Sequence, residues 1–197
     1  RYYGFFWWEM PDWNLDNKAV RKEFAKIGKF WLDEIGVDGF RLDAIKYIYP
    51  ENRLNDNLKW WSEFRKNLGK ENQSNFIVAE IWGGSDEVAP YLSNGISAGF
   101  NFELADTIVK SLKDGVNYGI AETVLNIQAR LLSENPKAED AIFLSNHDMD
   151  RIMTQVEGKE LKAKIGATLL FTLPGNPFVY YGEEIGMKGE KPDEFIR

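Results

Sequence analysis

The sequence predicts an α/β fold with parallel strands. Short apolar runs typical of strands alternate with longer stretches in which apolar residues recur at spacings of three and four, the period of an amphipathic helix. This alternation begins at about residue 18 and continues through the chain. Strands that are joined through helices are usually parallel and connected by right-handed crossovers. Both a doubly wound sheet and a barrel satisfy the pattern.

Five strands and five helical stretches are predicted. The strands cover residues 37–42, 76–79, 98–102, 141–145 and 178–181. The helical stripes are Val20, Phe24, Ile27, Trp31 and Ile35; Leu58, Trp61, Phe64 and Leu68; Leu104, Ile108 and Leu112; Ile120, Val124, Ile127 and Leu131; and Leu161, Ile165 and Leu169. Asn17 is a suitable N-cap for the first helix, and Gly36, Gly69 and Pro174-Gly175 are stop signals.

Composition excludes several function classes. The net charge of −7 argues against nucleic acid as a partner, because that binding requires clustered Lys and Arg. The longest apolar run, residues 165–173, is too short to cross a bilayer, and no basic amphipathic stretch suits a membrane surface. Without Cys, neither disulfides nor thiolate metal sites are available. Aromatic residues make up 14% of the chain, which favours a large aromatic core over a sugar-binding surface.

Polar side chains follow three of the predicted strands. Arg41 and Asp43 end the first strand, Glu80 ends the second, and His147-Asp148 follows the fourth. In a barrel of parallel strands the C-terminal strand ends form one rim, so these residues converge there. Arg41 precedes Asp43 by two residues, which places both side chains on the same strand face and lets the Arg keep the carboxylate ionised.

This set of residues has more than one interpretation. Each carboxylate can instead be a helix cap or part of a structural ion pair, although three such sites with an adjacent Arg and His make that interpretation weaker. Three carboxylates and a His suit glycosyl transfer, in which one carboxylate attacks and another carries a proton. They also suit a divalent metal site. The spacing does not separate these two chemistries.

The segments that carry these residues resemble, in order and spacing, three signature regions of glycoside hydrolase family 13, the α-amylase family. They are Gly39-Phe40-Arg41-Leu42-Asp43-Ala44-Ile45-Lys46-Tyr47, Ala79-Glu80-Ile81-Trp82 and Phe143-Leu144-Ser145-Asn146-His147-Asp148. Met10-Pro11-Asp12-Trp13-Asn14 resembles the end of the inserted domain B of the family, and residues 180–186 resemble the segment after the eighth strand. The resemblance implies a partial (β/α)8 TIM barrel containing strands four to eight with their helices.

The resemblance also implies roles. Asp43 is the expected nucleophile, held and kept charged by Arg41. Glu80 is the expected acid/base. Asp148 and His147 are expected to bind hydroxyl groups of the sugar at subsite −1.

Lys46 and Trp82 are expected to line the +1 side of the cleft. A solvated lysine at a helix start is the alternative for Lys46, and packing under a loop is the alternative for Trp82. The family commonly has His where Tyr47 stands and Leu where Trp13 stands. The family's first signature region, at the third strand, has no counterpart here.

The expected domains are the end of an inserted domain B (residues 1–17) and the C-terminal part of the catalytic barrel (residues 18–197). We expect the chain to begin inside a longer gene product, here termed the parent protein. No cofactor is required for the chemistry. A structural calcium is common in the family, and Asp12 stands where some relatives coordinate one.

The expected function is retaining hydrolysis of α-1,4-glucosidic bonds in starch-like α-glucans. Oligo-α-glucosidases and neopullulanase-like enzymes of the same family are alternatives. A further alternative is a non-catalytic relative that keeps the barrel as an interaction scaffold. Such relatives need not retain the carboxylates, so the presence of Asp43, Glu80 and Asp148 together favours an enzyme. The isolated chain is expected to be inactive and to associate edge to edge with further copies.

Overall fold

The structure is a computed structural model that describes residues 2–72 and 74–191. These residues form two compact units, one of residues 2–82 and 87–99 and the other of residues 83–86 and 100–191. The strands are β1 (Gly39–Leu42), β2 (Phe76–Ala79), β3 (Ala98–Phe100), β4 (Glu139–Phe143) and β5 (Asn176–Phe178). The helices are α1 (Lys18–Lys29), α2 (Leu54–Asn67), α3 (Ser85–Leu92), α4 (Phe102–Asp114), α5 (Ile120–Glu134), α6 (Ile152–Gln155) and α7 (Glu160–Thr172).

Shorter helical segments complete this description. A π-helix, Phe30–Ile35, continues α1, and 3-10 turns lie at Ile45–Tyr47, Glu51–Arg53 and Glu183–Ile185. Residues 2–17 contain turns and bends but neither helix nor strand, as expected for an irregular segment. The assignment of residues 1–17 to a domain B stays a prediction. Within the described ranges no helix has the length and apolarity needed to cross a membrane.

The first unit is built on β1, β2 and the start of β3, which pair in parallel. Gly39 pairs with Phe76 and Leu42 with Ala79. A Cβ atom on Gly39 would lie 1.8 Å from the carbonyl oxygen of Phe76, so only glycine allows the two strands to approach this closely. The parallel pairing brings the C-terminal ends of β1 and β2 to one level. These ends carry Asp43 and Glu80.

Aromatic side chains on α2 form much of the core of the first unit. Trp60 and Trp61 are buried, and Trp60 stacks on Phe64 with 5.4 Å between the ring centroids. Phe24 of α1 meets Trp60 edge-on at 5.8 Å. The apolar stripe predicted for the second helix therefore lies on the face of α2 that packs into the core. The expectation of an aromatic core holds only in part, because five of the seven Trp are more than a third exposed: Trp7, Trp8, Trp13, Trp31 and Trp82.

The buried faces of two helices differ from the predicted stripes. On the first helix Ile27, Trp31 and Ile35 are exposed, whereas Gly28 and Leu32 are buried. On α7 the same shift by one residue occurs, because Gly166 and Leu170 are buried while Leu161 and Ile165 are exposed. In both helices a glycine lies on the buried face, where it allows close packing. A Cβ atom on Gly28 would lie 2.5 Å from Leu68 Cδ2.

The second unit is built on β4 and β5, which are parallel, with Ala141 opposite Asn176 and Phe143 opposite Phe178. The end of β3 also belongs to this unit, and the Asn101 N–H donates to the Ala141 carbonyl at 2.9 Å. The core contains Phe102, Ala105 and Phe143, with Phe100, Met149 and Phe178 packed against it.

Several element bounds differ from prediction. β3 ends at Phe100 instead of residue 102, because the Asn101 side chain accepts a hydrogen bond from Leu104 N–H and so caps α4. β4 begins and ends two residues earlier than predicted, and β5 covers 176–178 instead of 178–181. Two helices, α3 and α6, were not predicted, and the interior of α3 contains Pro90. The prediction of Asn17 as an N-cap is confirmed, because its side chain accepts from Ala19 N–H at 2.9 Å.

We predict that Asp140 destabilises the fold at neutral and alkaline pH. Burial raises the pKa of this half-buried carboxyl to about 6, although hydrogen bonds from Asn101 and the Ala141 N–H oppose the rise. The pKa in an unfolded chain is about 3.9, so the folded state binds the proton more tightly. The stability contributed by the protonated Asp140 carboxyl is therefore fully present below about pH 4. It is lost as the pH rises through the folded pKa of about 6.

Asp140→Asn in the parent protein should raise the free energy of unfolding at pH 8 by about 1–3 kcal/mol. The gain should shrink at pH 5. Thermal and urea unfolding at both values measure it, with Glu122→Gln, which neutralises an exposed carboxylate of α5, as the control. An equal gain at both pH values would contradict the assignment.

Candidate active site

Two carboxylates stand side by side where β1 and β2 end. Asp43 follows Leu42, the last residue of β1, and Glu80 follows Ala79, the last residue of β2. The Glu80 N–H donates to the Leu42 carbonyl at 2.9 Å, which continues the ladder to the strand ends. The parallel register therefore places both carboxylates at one edge of the first unit.

Arg41 connects the two carboxylates. Its Nη1 donates to Asp43 Oδ1, and its Nη2 lies 3.0 Å from Glu80 Oε2. The prediction that Arg41 and Asp43 share a strand face is confirmed. The Asp43 side chain is 67% exposed, whereas that of Glu80 is 6% exposed. One guanidinium thus orients an accessible carboxylate and a buried carboxylate together.

Glu80 accepts hydrogen bonds from three donors. Oε2 accepts from Arg41 and from the Ala44 N–H at 3.1 Å, and Oε1 accepts from the Trp82 indole Nε1–H at 2.8 Å. Ala44 adopts a left-handed conformation with φ of 47°, which is uncommon for a residue other than glycine. All three contacts donate to the carboxylate and satisfy it despite its burial.

Lys46 and Trp82 lie beside Glu80 in the same unit. Lys46 Nζ donates to the Trp82 carbonyl at 3.1 Å and is ion-paired with Glu87. Lys46 is therefore ion-paired and largely covered, and its place on the +1 side stays a prediction. Trp82 is 40% exposed and directs its indole N–H at Glu80, so it does not lie packed under a loop.

His147 and Asp148 lie together in the second unit, in the loop after β4. His147 Nε2 lies 2.9 Å from Asp148 Oδ2, and the Asp148 N–H donates to Asn146 Oδ1 at 2.9 Å. The Asp148 side chain is largely buried and that of His147 is exposed. The structure therefore confirms that the pair follows β4. That Asp148 joins Asp43 and Glu80 in one pocket stays a prediction.

A buried arginine that was not predicted as a site residue, Arg151, lies between β4 and α6 and contacts the segment after β5. The Arg151 guanidinium lies 4.5 Å from the Tyr180 ring centroid and 4.4 Å from that of Tyr181, and it donates to the Tyr181 carbonyl. Burial raises the pKa of the nearby Glu183 carboxyl, while the Ser145 hydroxyl, which donates to it, and Arg151 act in the opposite direction. Arg151 thus holds the residues that follow β5.

In the first unit, Glu87 was not predicted as a site residue, and it forms an ion pair with Lys46. It lies in the first turn of α3, where Ser85-Asp86-Glu87 before Val88 and Ala89 is a helix-start signal. Ala44 could not be found from sequence, because nothing in its residue type indicates a left-handed conformation.

Metal ligands are not clustered in the described parts of the chain, where no group of three or more His, Asp or Glu could hold a metal ion. Asp12 Oδ2 accepts a hydrogen bond from the Phe5 N–H at 2.8 Å. The expectation of a structural calcium near Asp12 stays a prediction.

Comparison with known families decides what kind of protein carries this site. The family model described as the α-amylase catalytic domain matches residues 1–196. The chain belongs to the α-amylase family. This result confirms the family that the signature regions indicated. The roles expected of the individual residues stay predictions.

Solved structures of α-amylase family proteins support the fold assignment. An α-amylase from H. orenii has a TM-score of 0.89 and 41% identity over 98% of this chain and 39% of its own. Eubacterium rectale Amy13B has a TM-score of 0.87 and 34% identity over 96% of this chain and 38% of its own. The α/β fold with five parallel strands is therefore that of a partial (β/α)8 barrel, as predicted.

Sequence relatives have several activities in their names. Alpha-amylase 3 of Dictyoglomus thermophilum is 46% identical over the whole chain, and 4-alpha-glucanotransferase of Thermotoga neapolitana is 34% identical over 95% of it. This chain spans 38% and 40% of these two proteins, respectively. The family is therefore established over a segment that is less than half the length of the relatives.

We predict that Arg41→Lys in the parent protein lowers kcat on maltooligosaccharides about 100-fold. An ammonium keeps the charge but cannot present paired donors to two carboxylates, so Asp43 and Glu80 lose their common orientation. Steady-state kinetics measure the loss. Arg53→Lys is the matched control, because Arg53 also bridges two carboxylates, Asp16 and Asp56. Equal effects of the two variants would contradict the role of Arg41.

Proposed function

We propose that the parent protein is a retaining glycoside hydrolase that cleaves α-1,4-glucosidic bonds of starch-like glucans. The observation that carries this proposal is the Arg41 guanidinium, which holds an accessible carboxylate and a buried carboxylate at adjacent strand ends. Retention requires two carboxyl groups about 5–5.5 Å apart, one for attack and one for proton transfer. The binding of both carboxylates to one guanidinium holds them close together, which supports this mechanism.

Asp43 is the proposed nucleophile. Its exposed carboxylate attacks the anomeric carbon and forms a glycosyl ester as the bond from that carbon to the leaving oxygen breaks. Arg41 keeps one Asp43 oxygen oriented by a charge-assisted hydrogen bond. The ester forms with inversion at the anomeric carbon.

Glu80 is the proposed acid/base. It gives its proton to the leaving oxygen in the first step, and in the second step it takes a proton from the water that attacks the anomeric carbon. The second inversion restores the original configuration. The three donors to Glu80 suit the ionised form that exists between the two steps.

Asp148 and His147 are proposed to bind hydroxyl groups of the sugar at subsite −1. Their mutual contact at 2.9 Å supports a shared role, since it orients the imidazole and the carboxylate together. Lys46 and Trp82 are proposed to line the +1 side. Lys46 donates to the Trp82 carbonyl and the Trp82 indole donates to Glu80, which supports that position.

Hydrolysis and glucan transfer use the same covalent intermediate and differ in the acceptor. A relative named 4-alpha-glucanotransferase, 34% identical, makes transfer the second candidate. Product analysis of the parent protein on starch, pullulan and maltotriose separates them. Shorter products from starch support hydrolysis, whereas longer products from maltotriose support transfer. No change in any of the three substrates would reject both.

We predict that Asp43→Asn abolishes turnover without unfolding the parent protein. The amide has nearly the shape of the carboxylate but is a poor nucleophile, so kcat should fall by several orders of magnitude. Release of reducing sugar from starch measures the activity, and circular dichroism checks the fold. Ordinary turnover by this variant would contradict the nucleophile assignment.

We predict that the isolated 197-residue chain shows little or no glucan hydrolysis and associates with further copies. Five strands leave free edges with unpaired backbone groups. Exposed apolar side chains such as Val179, Phe171 and Ile35 favour association. Light scattering combined with a starch assay tests both expectations. A monomer with ordinary amylase turnover would overturn them.

A further inference from the structure

Glu87 is tied to the acid/base site by a continuous series of contacts. It lies on α3, seven residues after Glu80, and its Oε2 is ion-paired with Lys46 Nζ. Lys46 Nζ also donates to the Trp82 carbonyl at 3.1 Å. The Trp82 indole N–H in turn donates to Glu80 Oε1 at 2.8 Å. Each contact lies within the first unit.

The contact of Lys46 with the Trp82 carbonyl also affects the position of the Trp82 indole. The Trp82 carbonyl and indole belong to one residue that directly follows Ile81, in the segment between β2 and α3. The Trp82 side chain is 40% exposed, so packing alone does not fix it. Lys46 anchors its backbone from one side. Loss of this anchor would remove one of the constraints on the residue whose indole N–H donates to Glu80.

Lys46 depends on Glu87 for its own position. Lys46 forms its ion pair with Glu87. Partial burial lowers the pKa of the Lys46 ammonium, but the hydrogen bond and charge of Glu87, together with the charges of Tyr47 and Glu51, raise it overall. Glu87 is therefore the carboxylate that directs Lys46.

A neighbouring tyrosine does not take over this role. The Tyr91 hydroxyl is buried and has no hydrogen-bond partner in the part of the chain that the structure describes. Burial raises the pKa of Tyr91 to about 12, and the charge of Glu87 acts in the same direction. The charge of Glu87 thus acts on Tyr91, but Lys46 is the residue that binds the Glu87 carboxylate.

We propose that Glu87 is a positioning residue for proton transfer by Glu80, acting through Lys46 and Trp82. This inference rests on the proposed glycosidase function. Glu87 touches neither Glu80 nor the reacting atoms in this account. It fixes Lys46, Lys46 fixes the Trp82 backbone, and the Trp82 indole fixes Glu80 Oε1. Loss of Glu87 should impair the proton transfer to the leaving oxygen.

The test compares substrates that differ in their need for the proton. Maltohexaose has a poor leaving group and needs full protonation, whereas 2-chloro-4-nitrophenyl maltotrioside has a good leaving group that needs little. In the parent protein, Glu87→Ala should lower kcat/KM on maltohexaose about 10-fold, since small misplacements of catalytic groups cost this much or more. On the aryl glycoside the loss should stay below about twofold.

Two further comparisons show whether Glu87 acts through Trp82. Trp82→Phe removes the indole N–H and should produce the same dependence on the leaving group. The double variant Glu87→Ala/Trp82→Phe should be no worse than Trp82→Phe alone, because residues in one chain of contacts are not additive. Additive losses would overturn the proposal, and so would equal losses on both substrates.

The matched control is Glu51→Gln. It removes a carboxylate whose charge acts on Lys46, while leaving the Glu87 contact in place, and it should leave kcat/KM on both substrates unchanged. Because Glu87 and Lys46 form a partly exposed ion pair, whose contribution to stability is small, the Glu87→Ala protein should stay folded, as circular dichroism would show.

The same measurements separate this inference from the proposed function. Glu80→Gln in the parent protein should lose activity on maltohexaose and keep a substantial part on the aryl glycoside. If the wild-type protein cleaves neither substrate, or if Glu80→Gln shows no such difference, the proposed function fails. If Glu80→Gln behaves as expected and Glu87→Ala equals the wild type on both substrates, only the role of Glu87 fails.

Discussion

The site depends on one arginine that serves two carboxylates. Arg41 reaches Asp43 and Glu80 together only because β1 and β2 pair in parallel with their C-terminal ends at one level. That register requires Gly39, where any side chain would strike the neighbouring strand. A shift of one strand by one residue would turn its side chains to the opposite face and separate the carboxylates. The chemistry is therefore a consequence of strand pairing more than of any single side chain.

In α1 and α7 a glycine lies on the buried face of the helix, whereas larger apolar residues on the adjacent face are exposed. Gly28 and Gly166 lie on buried faces, and the larger residues one position away, Ile27 and Ile165, remain exposed. Small residues at a contact allow elements to approach closely, while the larger side chains extend to either side of it. In a family barrel each helix has a neighbour on both sides, which accounts for apolar residues on more than one face.

The candidate residues could be selected from the sequence, because polar residues that directly follow apolar strand-like runs are few. Arg41, Asp43, Glu80, His147 and Asp148 are selected in this way, and the strand ends that carry Asp43 and Glu80 are placed correctly. That His147 and Asp148 belong to the same site stays a prediction. The contacts that orient Glu80 could not be predicted. The contacts of Ala44 with Glu80 and of Lys46 with Glu87 join residues that are distant in sequence. The Trp82 indole reaches Glu80 only two residues away, but residue type does not fix the direction of its side chain. The stripes on α1 and α7 were misplaced because glycine carries no hydrophobic signal, although it marks the packed face.

The central claim is that Asp43, oriented by Arg41, forms a covalent bond with the sugar. Incubating the parent protein with a 5-fluoro-α-glucosyl fluoride, which slows hydrolysis of a glycosyl ester, would allow the intermediate to accumulate. Peptide mass spectrometry then locates the added mass. We expect one added glycosyl group on the peptide that contains Asp43, and none in Asp43→Asn. An adduct on Glu80 or Asp148, or turnover of the reagent with inversion of the anomeric centre, would contradict it.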